Sequence, residues 1–433
     1  MSLPRYSKYK DSGVEWLGPV PTHWVIHRLG YFFEERREKV SDKDFVPLSV
    51  TKLGIVPQLE TAAKTDDGDN RKKVIAGDFV INSRSDRKDS SGTAPQDGSV
   101  SLINTVLRPL AEFDAGFAHH LLRSVPFQEE FYRYGKGIVA DLWSTHYSEM
   151  KNIMLAIPEV VEQRAIATFL DRETATIDAL IAEQEKLIAL LAEKRKAIIS
   201  HAVTKGLNPK APMKDSGVAW LGEVPAHWGV RPLKFFAKIG NGSTPNRDNP
   251  DYWADEGFPW LNSSVVNQEE VTEAERFVTE KALSECHLPI ISPPAILIGI
   301  TGQGKTRGMA TQLQFTATVN QHLAYIKPNM EQLAPIFLLR CLESAYDHLR
   351  IESEGAGSTK GAITCDQLGR LRIPAPDLNE QKQIVSFLEM KITKLNELEA
   401  GAIRAVALLK ERRSALITAA VIGQIDVRRA TEK

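Results

Sequence analysis

The sequence predicts an α+β protein in which two α/β domains are separated by two long antiparallel helices, built as an internal pseudo-twofold repeat. Two repeated segments and the stretches between them carry this expectation. Lys10–Trp24 (KDSGVEWLGPVPTHW) recurs as Lys214–Trp228 (KDSGVAWLGEVPAHW), identical at twelve of fifteen positions, at an offset of 204. Pro158–Leu170 (PEVVEQRAIATFL) recurs as Pro376–Leu388 (PDLNEQKQIVSFL) at an offset of 218, so the second copy carries 218 − 204 = 14 extra residues between its matching segments. Between these frames, segments 25–157 and 229–375 show no comparable identity. The domain bounds are therefore 1–157, 158–206, 207–375 and 376–433, alternating domain and helix. A similar frame around divergent inserts suggests one scaffold presenting two different binding surfaces. A duplication that drifted without functional meaning is the alternative.

The helices come from Glu159–Lys205 and Asp377–Ile422, rich in Ala, Leu, Ile, Glu, Lys, Arg and Gln and free of internal proline. Leu395, Val406, Leu409 and Leu416 fall on a seam of 3-4 spacing, and Ile177, Ile188, Leu191 and Ile198 continue it in the first copy. Asp377 and Glu380 have capping-box spacing, and Gly206 and Gly423 stand where C-terminal caps belong. At about 1.5 Å per residue each helix reaches roughly 65–70 Å, too long to bury its stripe on one small domain. The two helices should pair as a spacer or docking rod, with a plain dimerisation coiled coil as the alternative. Trp16, Trp24, Trp220 and Trp228 lie in turn-rich sequence and are expected to pack their indoles on a domain or helix surface.

The inserts read as strands followed by a helix. In the first, Phe45–Val50, Lys73–Ile75, Asp78–Asn82 and Ser99–Leu107 are predicted strands and Phe117–Tyr134 a helix. In the second, Pro259–Val266, Ala295–Ile300, Ala317–Gln321 and Leu323–Lys327 are predicted strands and Leu333–Glu352 a helix. Their loops hold the candidate nucleic-acid contacts: Ser83, Arg84, Arg87, Lys88 and Lys136 in the first insert, and Asn241, Ser243, Lys305, Thr306, Arg307, Thr359 and Lys360 in the second. Arg and Lys reach phosphates or guanine edges, and Asn and Gln suit adenine. A solvated polar loop is the alternative for each residue.

Composition bounds the rest. Lys+Arg 54 against Asp+Glu 55 gives a net charge of −1, which excludes a small, strongly basic nucleic-acid binder but not locally basic surfaces. Cys286, Cys341 and Cys365 are too far apart for a disulfide framework or a zinc knuckle. Met1–Lys10 lacks the apolar core of a signal peptide, and Pro289, Pro293 and Pro294 break the most apolar stretch, Leu288–Ile300. A cytoplasmic chain with no membrane contact is expected. His119-His120 and Cys286-His287 read as packing or surface features, so no metal site is expected.

Two motifs suggest other chemistry. Gly299–Thr306 (GITGQGKT) matches the nucleotide-binding pattern GxxxxGK[ST] and follows a plausible strand. The residues after it, Arg307–Gln321, read as extended, whereas phosphate binding needs a helix there. Asn249-Pro-Asp-Tyr252 and Ser292-Pro-Pro-Ala295 are each incomplete versions of the adenine-methyltransferase signature. No catalytic residue is expected in this chain.

The doubled KDSGVxWLGxVPxHW segment and the doubled helix entry (Pro158…Glu162-Gln163, Pro376…Glu380-Gln381) resemble the specificity subunits of Type I restriction-modification enzymes. In the second insert, IGNGSTP (239–245), FPWLNSS (258–264), ITGQGKT (300–306) and TVNQ (318–321) add to the resemblance, which covers essentially the whole chain. It implies that each insert is a target recognition domain reading one half of a split, asymmetric double-stranded DNA site. It further implies that the helices set the spacer and dock two modification (methyltransferase) subunits, with restriction subunits joining later. S-adenosylmethionine would be bound by the modification subunits, ATP and Mg by the restriction subunits, and no cofactor by this chain. A nucleotide-binding protein using Lys305 and Thr306, and a coiled-coil adaptor without a DNA role, are the rival readings.

Overall fold

The computed structural model describes residues 4–60, 68–84, 89–137, 143–302, 304–354 and 361–429. They form two compact units, 1–185 with 403–433, and 186–402. Each long helix passes from one unit into the other, so the compact units cut across the sequence-based bounds inside the helices. The helices themselves span Val160–Lys205 and Leu378–Val421. Gly206 and Gly423 follow them with φ of +71° and +76°, the left-handed conformation that ends a helix at little cost only in glycine.

In the first unit, a four-stranded antiparallel sheet has the order Ser91–Thr93, Phe79–Asn82, Asn104–Pro109, Phe33–Glu35. A three-stranded sheet orders Gly98–Val100, Arg71–Val74 and Lys39–Val40, and Val25–Arg28 pairs with Met154–Ile157. In the second, a five-stranded sheet orders Ala237–Asn241, Leu323–Pro328, Ala295–Gly299, Ala310–Leu313 and Glu270–Val271. There Gly229–Pro232 pairs with Arg372–Ala375, the counterpart of the Val25–Arg28 pairing.

Several predicted elements are divided. The Phe117–Tyr134 helix is two, Ala115–Arg123 and Val125–Arg133, because extended Ser124 precedes Pro126, whose ring and missing N–H bar a continuous helix. The Leu333–Glu352 helix is also two, Pro335–Ser344 and Tyr346–Glu354. Ser99–Leu107 contains a turn between Gly98–Val100 and Asn104–Pro109, and Pro259–Val266 passes from a strand into a 3-10 turn at Ser263–Asn267.

The repeated motifs are repeated joints. Trp24 and Trp228 are 0% and 1% exposed. The Trp24 indole donates to Glu162 Oε1 (3.1 Å), and the Trp228 indole to Glu380 Oε2 (2.9 Å). His23 and His227 meet the same carboxylates at 2.8 and 2.9 Å. Lys10 and Lys214 cap the carbonyls of Trp24 and Trp228 at 2.5 and 2.6 Å. The neighbouring glutamines do the second half of the work. Gln163 accepts from the Asp114 N–H (2.9 Å) and donates to the Pro158 carbonyl (2.9 Å). Gln381 accepts from the Ala334 N–H (2.8 Å) and donates to Pro376 (2.9 Å). The Glu-Gln pair thus ties the long helix to the tryptophan segment and to the start of a domain helix in each unit. Asp377 does cap the second helix, accepting from Asn379 and Glu380 N–H at 2.9 Å. The capping box is not closed by Glu380, because that carboxylate is committed to His227 and Trp228.

Within the first unit the helix segments run antiparallel, since Asp178 pairs with Arg413 and Glu185 with Lys410. Of the seam residues, Ile177, Leu191 and Leu395 are buried, while Ile188, Ile198, Val406, Leu409 and Leu416 are half-buried. His119 and His120 pack beside Arg413 and Arg123. Burial, then the Arg123 charge, lowers the His119 imidazole from its usual range to about 4. The unfolded chain therefore takes up that proton first. The contribution of neutral His119 is complete above about pH 6.5 and is lost as pH falls toward 4, by at most about 3 kcal/mol. Urea denaturation at pH 7 and 4.5 should show this loss in the first unit, and H119Q should reduce it; an unchanged pH dependence in H119Q would assign it to other groups.

Candidate nucleic-acid interface

In the first unit, three chain segments converge at Ser144. Ser144 exchanges backbone bonds with Lys136 (2.9 and 3.0 Å) and forms a bridge with Arg84. Arg84 and Lys136, distant in sequence, therefore flank one residue, and both are exposed. Lys136 keeps a loose ion pair with Glu149 at 3.3 Å. Ser83 is a correction: it is 4% exposed, its hydroxyl pairs with Thr105 (3.1 Å), and it faces the sheet instead of solvent. Arg87 and Lys88 lie outside the described residues, as do Thr359 and Lys360 in the second unit.

The second unit brings together motifs that are far apart in sequence. Asn241 is exposed at the end of Ala237–Asn241, and the Ser243 carbonyl accepts from the Trp260 indole (3.1 Å). The next residue, Thr244, donates to Gln321 Oε1 (2.6 Å). Gln321 in turn contacts His322 (3.3 Å), whose Nδ1 meets the Thr301 hydroxyl at 2.7 Å. A polar chain, Thr244–Gln321–His322–Thr301, thus runs across the strand ends. Gln321 and His322 were not among the sequence candidates, because adjacent polar residues before a strand give no local sign of what they will meet.

Lys305 is exposed and Thr306 half-buried in the connection from Ala295–Gly299 to Ala310–Leu313. Arg307 is the second correction. It is 3% exposed and paired with Glu354 at 2.7 Å, so its guanidinium cannot reach a phosphate without breaking that pair. The nucleotide-binding reading fails on the same geometry. The two strands pair antiparallel, Ile298 opposite Ala310, and among the described residues no helix N-terminus follows the glycines. The turn's carbonyls are instead held by the next domain helix: Arg350 donates to Gly304 O (2.7 Å) and Tyr346 to Lys305 O (2.8 Å). In the incomplete methyltransferase signature, Tyr252 is tied to Glu285 (2.9 Å).

Among the described residues there is no group of three or more His, Cys, Asp or Glu placed to hold a metal ion, and no helix long and apolar enough to cross a membrane. The arrangement offers exposed cations, amides and hydroxyls at strand ends, which is the chemistry of hydrogen bonding to phosphates and base edges.

Residues 225–407 match the family described as the Type I restriction modification DNA specificity domain. The chain is 24% identical over 398 residues to a putative type I restriction enzyme MjaX specificity subunit of Methanocaldococcus jannaschii, covering 86% of this chain and 88% of that one. It is 23% identical over 278 residues to the type I restriction enzyme EcoR124I/EcoR124II specificity subunit of Escherichia coli, covering 62% of each. The fold is similar to a chain from a structure on complex assembly and conformational transition of the type I R-M system, with TM-score 0.72 at 18% identity over 93% of this chain and 98% of that one. It is also similar to the HsdS subunit from Thermoanaerobacter tengcongensis, with TM-score 0.54 at 19% identity and the same coverage, 93% and 98%.

Proposed function

We propose that the chain is a DNA specificity subunit of a type I restriction-modification system, a reading supported by the family match over residues 225–407 and by the similarity to such subunits, and that each domain reads one half of a bipartite, asymmetric DNA site. The long helices set the number of unread base pairs between the halves and dock two modification subunits, one on each repeat. Those subunits carry S-adenosylmethionine and methylate an adenine flipped out of each half-site. Restriction subunits, with ATP and Mg, join the same assembly, which works in the cytoplasm. This chain positions the DNA and performs no chemistry itself.

The observation that carries the reading is the duplicated joint. Glu162 with Gln163, and Glu380 with Gln381, anchor two domains of unlike surface to the helices through the same hydrogen bonds. Such a joint lets the domain surface vary while the attachment stays constant. Net charge −1 leaves phosphate attraction to local clusters such as Arg84 with Lys136 and to the partner subunits.

Co-expression with the cognate modification subunit, followed by sequencing of modified bases in host DNA, tests the proposal. A split adenine-methylation motif that appears only with this chain is the expected result; assembly of the complex without any motif would refute DNA targeting. The ruler role has its own test. Inserting one helical turn within Ile177–Ile198 should lengthen the unread spacer while preserving both half-sites. Unaltered spacing in an active complex would remove the helix as the ruler.

A further inference from the structure

We infer that the dipeptides Leu102-Ile103 and Gln321-His322 are equivalent base-reading positions of the two domains, and that Leu102-Ile103 reads its half-site through the methyl group of a thymine. The inference rests on the specificity-subunit reading and assigns the residues that carry it out.

The two domains lack sequence identity, yet one piece of their backbone is the same. Phe79–Asn82 lies between Ser91–Thr93 and Asn104–Pro109, as Ala295–Gly299 lies between Ala310–Leu313 and Leu323–Pro328. The registers coincide, with Asn82 opposite Asn104 and Gly299 opposite Leu323. Beyond the strand ends the backbone bonds repeat as well. Ser83 N–H donates to Ile103 O (3.3 Å) and Thr145 N–H to Ser83 O (2.9 Å). Ile300 N–H donates to His322 O (3.0 Å) and Ile363 N–H to Ile300 O (2.8 Å). Arg84 and Thr301 then sit in matching bridges, to Ser144 and Ala362. Ile103 therefore corresponds to His322 and Leu102 to Gln321.

Burial follows the same correspondence. Ser83, Thr145, Ile300 and Ile363 are all buried, whereas both dipeptides are exposed. A shared backbone thus projects different side chains at one place, which is what discrimination between two unlike half-sites requires. In the second domain the pair is polar and tied to Thr244 and Thr301. An oriented glutamine of this kind can contact adenine through both its donor and its acceptor. In the first domain the pair is aliphatic, and Leu102 and Ile103 are 39% and 40% exposed. Beside it, Arg84 supplies a cation for the phosphate backbone or a guanine edge, so the patch suits DNA better than an uncharged protein surface. The thymine methyl is the apolar group that a base pair presents in the major groove.

The test uses the co-expressed complex with the modification subunits. The L102Q/I103H variant should change the first half-site at one or two adjacent base pairs and leave the second unchanged. A wild-type motif in both halves at undiminished methylation would overturn the inference. If the variant methylates nothing, the unmodified complex decides: deoxyuridine is substituted for each thymine of the first half-site in turn. One substitution should weaken binding about fourfold, the value of one buried methyl group. Less than twofold at every thymine overturns the inference. Absence of any split motif with the unmodified chain removes the specificity reading and this inference together, whereas an unchanged motif with the variant removes this inference alone.

Discussion

Replacing Trp24 or Trp228 by alanine should destabilise the unit that contains it by about 3–5 kcal/mol, the usual cost of emptying a large buried aromatic site. Both indoles are essentially inaccessible, and each is packed into its unit's main apolar cluster. Trp24 lies there with Ala420 and Val421 at the end of the second long helix, and Trp228 with Ala202 and Val203 at the end of the first. Each also donates a hydrogen bond to a carboxylate at the start of the other helix. One side chain therefore joins the beginning of one helix to the end of the other within a unit. Stability on the order of 5–15 kcal/mol is typical of a domain, so either substitution removes a large part of it. Urea denaturation of the full chain measures the effect. A loss below about 1 kcal/mol in both variants would show that the tryptophan segment is an accessory wrap.

The matching carboxylates should not be equally sensitive. Glu162→Leu is expected to cost about 3–5 kcal/mol, because it strands two buried donors at once, the Tyr6 hydroxyl and the Trp24 indole. Glu162 has a side chain 7% exposed and accepts from Tyr6 (2.7 Å) and Trp24 (3.1 Å), with His23 at 2.8 Å and Arg428 at 4.0 Å. Burial, and then the bond to Glu162, raises the Tyr6 phenol well above its ordinary range, so it remains a donor at any working pH. Glu380 has a side chain 24% exposed and serves only Trp228 and His227 among the hydrogen bonds of the described residues. Glu380→Leu should accordingly cost less, about 1–2 kcal/mol, since it strands one buried donor, the Trp228 indole, while the exposed His227 imidazole can turn to water. Equal losses in the two variants, measured by the same denaturation, would refute the burial argument.

The frame was legible because its physics is local or repeated. Helix-forming composition without proline places both long helices to within a residue at each end. The divided domain helices show where local reading stops. Pro126 marks the first break, but nothing beside Ala345 marks the second, where the following helix turns to hold the Gly304–Arg307 connection through Tyr346 and Arg350.

The candidate contacts divide in the same way. Loop composition drew attention to Arg84, Lys136, Asn241 and Lys305, all of them exposed. It equally selected Ser83 and Arg307, which are buried and paired with Thr105 and Glu354, partners distant in sequence. Leu102 and Ile103 escaped notice because an aliphatic pair before a strand ordinarily turns inward.

By itself, the sequence determined the duplication, the long helices, the resemblance in its frame and the placing of some central strands, such as Phe79–Asn82 and Ala295–Gly299, because these depend on periodicity, propensity and identity along the chain. Tertiary structure alone decided which polar side chains are spent inside the fold and which are left exposed. A hydrogen bond is consumed by whatever lies within about 3 Å, and that neighbour is set by the packing of strands and helices remote in sequence.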